Sequence, residues 1–217
     1  MADNISRYGF RWAAGYNGGK NYPTVEERWV PSSPSADASF DVSGGQSNLY
    51  LGKGDLVKLE ATGGVTLCQV ADNDPYGVVM GVLPYWDGTK MVPSRLLPSD
   101  IAWGTNLARQ SKVLVAPIVQ GAWEVDVDDA VTATTETAYQ SLVNLNVDFI
   151  LSLTNTTRPE PKLDISSAAT TAGLHFRIIG LGRTPFNQDY SGANVKLVVI
   201  ANQAQHPAYG TTGLAGI

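Results

Sequence analysis

The stretch Trp123-Glu124-Val125-Asp126-Val127-Asp128 alternates apolar and acidic residues with a period of two. That period is the geometry of a β-strand, whose successive side chains point to opposite faces. A helix would scatter the same three apolar residues around its circumference. The alternation therefore predicts a strand with Trp123, Val125 and Val127 in a core, and with Glu124, Asp126 and Asp128 on a solvated face or touching a cation or a neighbouring subunit.

Other short apolar runs repeat the theme. Asn48-Leu49-Tyr50-Leu51 is followed, after Gly52-Lys53-Gly54, by Asp55-Leu56-Val57-Lys58-Leu59-Glu60. Gly63-Gly64 marks a hairpin, with Val65 to Val70 as its return strand and Asp72-Asn73-Asp74-Pro75 as a turn. Tyr76-Gly77-Val78-Val79-Met80-Gly81-Val82-Leu83 reads as a buried strand whose glycines admit close backbone contact. Lys112-Val113-Leu114-Val115-Ala116 precedes the alternating stretch. Together these predict a small barrel or sandwich over residues 48–130.

Residues 131–217 form a second β-rich portion. It opens with Thr134-Thr135-Glu136-Thr137-Ala138-Tyr139-Gln140-Ser141-Leu142-Val143, where a threonine cap and the spacing of Tyr139, Leu142 and Val143 predict one short helix. Strands return at Phe149-Ile150-Leu151, Leu174-His175-Phe176-Arg177-Ile178-Ile179 and Val195-Lys196-Leu197-Val198-Val199-Ile200. The stretch from Gln203 to Ile217 reads as an extended tail. The chain as a whole reads as mainly β, with a β-barrel or β-sandwich body and at most one or two short helices.

Residues 1–47 are different. Gly18-Gly19, Pro23, Pro31, Pro34 and Gly44-Gly45 interrupt them, and no period persists. Yet the segment carries Tyr8, Phe10, Trp12, Tyr16, Tyr22, Trp29 and Phe40, with Arg7, Arg11 and Arg28 interleaved. Aromatics and arginine are the residue types of interface anchors. Two readings stay open: an extended arm that wraps its own domain, or one that docks on a neighbouring subunit through Arg7, Tyr8, Phe10, Arg11, Trp12, Tyr16, Tyr22, Arg28 and Trp29.

The residues that would carry catalysis are sparse. Gly15-Tyr16-Asn17-Gly18-Gly19-Lys20-Asn21 approaches a phosphate loop, but Ala14 stands in place of the first glycine and Asn21 in place of the magnesium-holding Ser or Thr. His175 and His206 are far apart, one read as a half-exposed strand residue and the other in the tail, so neither belongs to a short metal-ligand pair. Cys68 is alone, which excludes an internal disulfide, and sits among apolar residues as a buried thiol. Carboxylates are present at Glu26, Glu27, Asp72, Asp74, Glu124, Asp126, Asp128 and Asp129, with nothing in their spacing that pairs them for glycosidase work. The reading is a non-enzyme without cofactor or metal. A net charge of −5 argues against nucleic acid as a partner. Met1 to Arg7 lacks a signal-peptide core, and no apolar stretch reaches bilayer length, which predicts cytosolic synthesis and no membrane partner.

The run Asn48-Leu49-Tyr50-Leu51-Gly52-Lys53-Gly54-Asp55-Leu56-Val57-Lys58-Leu59 resembles the opening of small structural proteins found beside the major capsid protein in tailed bacteriophages. Those often read N-x-Y-x-G-D-P-V before hydrophobic strands; here Lys53-Gly54 is inserted ahead of the aspartate. The likeness continues through Gly77 to Val82, Ser167 to Leu181 and Ala193 to Gln203. It implies a head decoration, or cement, protein: β-rich, usually trimeric, on the capsid exterior of the virion after synthesis in the host bacterial cytoplasm, with the major capsid protein as partner and no catalytic residues. The same composition also suits a head-to-tail connector or tail component, or a glycan-binding module or glycosidase using Trp86, Trp103 or Trp123 as sugar platforms, with Trp123 read rather as core.

Overall fold

A computed structural model of the chain describes residues 9–15, 25–28, 50–59, 64–70, 72, 75–86, 89–93, 96–98, 112–128, 134–155, 158–182, 190 and 195–202. The protein is mainly β. Two antiparallel sheets carry most of the described residues, and one short helix accompanies them.

The five-stranded sheet is built from β2 (Val25–Arg28), β10 (Lys112–Pro117), β6 (Gly77–Val82), β4 (Leu56–Leu59) and β5 (Val65–Leu67), in that spatial order. In β10, β6, β4 and β5 the sequence is mostly apolar because both faces are covered. Leu56, Val78 and Ala116 point into one core, while Val57, Val79, Val113 and Val115 point into another on the opposite face, with Val65, Leu67, Tyr76 and Leu51. β4 and β5 pair antiparallel with Val57 opposite Leu67 and Leu59 opposite Val65, and β5 ends at Leu67 rather than Val70. Gly77 lets β6 lie tight against β10: a Cβ there would stand 2.5 Å from Val115 Cγ1 and 2.7 Å from the Ala116 carbonyl oxygen.

At Pro117 the chain changes sheets. A single 3-10 turn, Ile118–Gln120, leads into β11 (Gly121–Asp126). The Trp123 indole N–H donates to the Ile118 carbonyl at 3.0 Å and fixes that corner. β11 belongs to the six-stranded sheet, ordered β1 (Arg11–Gly15), β11, β15 (Lys196–Ala201), β14 (Phe176–Leu181), β12 (Asn146–Asn155) and β13 (Arg158–Ala169). This sheet curls until its far strand β13 meets the residues that follow β11: Val127 and Leu163 form a parallel bridge, and the Asp128 N–H donates to the Leu163 carbonyl at 2.9 Å. Two small pairs complete the described strands, β3 (Tyr50–Gly52) with β9 (Leu96–Pro98) and β7 (Tyr85–Trp86) with β8 (Met91–Val92).

The main core lies inside the curl and against the five-stranded sheet. Trp123, Val125, Val127, Phe149, Leu163, Phe176, Ile178, Leu197 and Val199 meet Leu56, Cys68 and Val78 there. Each such side chain contributes about 1.5–3 kcal/mol by leaving water. The helix α1 (Glu136–Ser141) arises where the threonine cap predicts it, with Thr135 Oγ1 accepting the Ala138 N–H at 3.2 Å. Tyr139 is its buried anchor.

The first 47 residues, read as lacking regular elements for long, supply the short strands β1 and β2, each an edge strand of a different sheet. The six-stranded sheet takes β1 and β11 from before residue 130 and β12 to β15 from after it. The tail from Gln203 onward lies outside the described residues.

Candidate interaction site

Of the two readings of the N-terminal segment, wrapping its own domain or docking on a neighbour, Phe10 and Trp12 follow the first. Phe10 is fully buried, its ring 4.9 Å from that of Phe176, and its N–H donates to the Gly54 carbonyl at 3.0 Å. Gly9 makes this entry possible. Its φ is +59°, and a Cβ there would stand 2.5 Å from the Gly54 carbonyl oxygen and 2.8 Å from Pro161 Cγ, so both backbone conformation and space require glycine. Trp12 lies opposite Trp123 in the β1–β11 pair and packs on the main core. Arg11, on the other face, forms an ion pair with Glu124 at 2.8 Å. Arg28 lies at the end of β2, with its backbone opposite Lys112. Arg7, Tyr8, Tyr16, Tyr22 and Trp29 lie outside the described residues, as does Trp103.

The acidic face of β11 also departs from its reading. Glu124, Asp126 and Asp128 were read as a solvated or contact-making stripe, but Asp126 and Asp128 are buried and Glu124 nearly so. Lys196 of β15 stands directly opposite Asp126, with Nζ 3.4 Å from Oδ1. That is long for a charge-assisted hydrogen bond, which runs about 2.7–2.9 Å. Burial accordingly outweighs the neighbouring cations Lys196, Arg11 and Lys162, and raises the Asp126 carboxyl from 3.8 to about 6. Asp128 works as a backbone clasp instead: its Oδ1 accepts the Ile165 N–H at 3.3 Å, beside the seam that closes the curl.

His175 also differs from its reading as a half-exposed strand residue. It sits one residue before β14 and is buried. Nδ1 lies 2.6 Å from Asp148 Oδ1, and Nε2 lies 2.6 Å from the Asp72 carbonyl oxygen. Phe149 meets its ring edge to face at 5.1 Å. Both ring nitrogens are thus occupied within the protein, which leaves neither to act as a base toward a bound molecule. Asp72 is itself fixed: its carboxylate accepts from Lys58 Nζ and from the Gln69 N–H, each at 2.7 Å.

Asp148, Lys162 and Lys196 carry no signal in the sequence that marks them as members of a charged cluster. Asp72 was visible as one carboxylate among several, but 103 residues separate it from His175. Cys68 is buried as expected. Among the described residues, no group of three or more His, Cys, Asp or Glu stands together as a metal site, and no helix is long and apolar enough to cross a membrane.

Comparison of the chain with protein-family models, with curated proteins and with solved structures finds no match.

Proposed function

We propose that this protein is a bacteriophage structural protein that binds the outer surface of the capsid and bridges capsomers as a homotrimer, stabilising the head. The sequence likeness of residues 48–59 and of the later strands to head decoration proteins motivates the reading. The observation that carries it is the stitching of the N-terminal segment onto both sheets, β1 at the edge of one and β2 at the edge of the other. Tension applied to such a segment passes into the whole body instead of peeling a single strand. That suits a protein whose task is to resist the separation of its partners, with many modest contacts multiplied by avidity.

Phe10 and Trp12 pack internally and Arg11 pairs with Glu124, so the proposed docking residues are Arg7, Tyr8, Tyr16, Tyr22, Arg28 and Trp29. It also changes the test. Deleting residues 1–47 would remove Phe10 from the core and two strands from the sheets, so it would report on folding. Replacing Tyr8, Tyr16, Tyr22 and Trp29 together by serine keeps Phe10, Trp12 and every residue of β1 and β2, and circular dichroism and thermal unfolding check that the variant folds. The expected result is a folded protein with strongly reduced occupancy on expanded capsids, read by electron microscopy. Undiminished occupancy would remove the arm from the interface. Density at the portal or along the tail would reassign the protein to another virion part.

A further inference from the structure

We propose that the N-terminal segment carrying β1 and β2 is a donor strand exchanged between copies of this chain, each copy completing the sheet edges of a neighbour. This deepens the homotrimer reading and takes from it only that several copies meet.

The two strands follow one stretch of the body in antiparallel order. Along β11, Arg11 stands opposite Glu124 and Gly15 opposite Gly121. Along β10, Val25 stands opposite Val115 and Arg28 opposite Lys112. Because β10 and β11 are consecutive and meet at the Pro117 corner, a single acceptor stretch, Lys112 to Asp126, receives both strands.

β1 and β2 are each outermost in their sheets, so their removal leaves the orders β11-β15-β14-β12-β13 and β10-β6-β4-β5 unbroken. What the body then lacks is a partner for the β10 and β11 edges, which unpaired would offer a template to another chain. It also lacks a filling for the place of Phe10, whose buried ring lies 4.9 Å from that of Phe176. A strand that pairs with an open edge while its side chain fills a pocket is the geometry of strand addition.

The same pairs and the same pocket serve a segment from either chain, so the connection decides between them. Residues 29–49 join β2 to β3. About 20 residues can span up to roughly 70 Å, well beyond the ~17 Å radius of gyration of a compact chain of this length. Closing so long a loop onto its own body carries an entropic cost, whereas copies gathered in one assembly present their acceptor edges at high effective concentration. Exchange then ties subunits through strand pairing on both sides of the corner.

Disulfide trapping of the full chain tests this. Directly opposed residues of an antiparallel ladder stand about 4.5–5.5 Å apart at Cα, within disulfide reach, and the native Cys68 is buried. Copies carrying Arg11→Cys are refolded with an equal amount of copies carrying Glu124→Cys, oxidised, and read by non-reducing mass spectrometry. Neither copy can close this bond within itself. The expected result is a heterodimer linked from 11 to 124, more abundant at higher protein concentration during refolding. It should be nearly absent when Arg11→Cys is mixed with Lys112→Cys, since residue 112 does not pair with residue 11. No link in the first mixture, with the Arg11→Cys/Glu124→Cys double variant closing the bond inside one chain, would overturn the proposal. So would equal linking in the Lys112 mixture. The unmodified chain gives an independent measurement: refolded from equal amounts of 13C-labelled and unlabelled protein, it should show isotope-filtered contacts between Phe10 of one class and Phe176 of the other. Contacts confined to one class would also overturn the exchange.

Discussion

Trp12 and Trp123 meet edge to face across the β1–β11 pair, ring centroids 5.2 Å apart and planes at 89°. The contact joins the N-terminal segment to the strand that most plainly declares itself in the sequence. It makes residues 10–15 part of the core structure, whatever the neighbouring residues bind.

The first prediction concerns that contact. Trp12→Ala should lower stability by about 2–4 kcal/mol, a large core truncation softened by partial exposure. A double-mutant cycle with Trp123→Phe should return a coupling of about 0.5–1.5 kcal/mol, the range for aromatic pairs. Urea unfolding of the four proteins measures it. A coupling of zero would make the ring geometry incidental.

The second prediction follows from Asp126. Its carboxyl is raised from 3.8 to about 6, so the fold disfavours its charged form. The sign is therefore the reverse of an ordinary paired carboxylate: the penalty is full above pH 6 and disappears as pH falls toward 3.8. Asp126→Asn mimics the protonated acid. It should match the unmodified protein near about pH 4 and exceed it at about pH 8 by up to ~3 kcal/mol, the equivalent of the shift. Subtracting the two stability curves cancels the other titrating groups. A difference that does not change with pH would show that Lys196 and its neighbours repay the burial in full.

The third prediction tests the helix cap. Thr135 Oγ1 accepts the Ala138 N–H at 3.2 Å, so Thr135→Ala should cost about 1 kcal/mol and Thr135→Ser much less. Thermal unfolding distinguishes the two. Equal losses from both would assign the effect to packing of the threonine methyl group.

The order of these sites in the sequence explains which were legible. Periodicity is local. The alternation in residues 123–128 sufficed to place Trp123, Val125 and Val127 on the core face, and a threonine whose side chain accepts the N–H three positions on sufficed for α1. The unbroken apolar run at Val78-Val79 was similarly enough to mark β6 as buried.

Other features depend on residues distant along the chain. Alternation shows that Glu124 and Asp126 share a face, but what covers that face was decided by Arg11, Lys162 and Lys196 arriving from other strands. Likewise, neither of the histidine's two partners lies near it in sequence, and glycine and proline punctuation hid β1 and β2, whose four or five residues are too few to show a period. Local chemistry chose the elements because strand and helix geometry repeat over a few residues. Only the tertiary structure could decide which polar groups are buried, since burial and pairing depend on surfaces that the chain brings together after those elements exist.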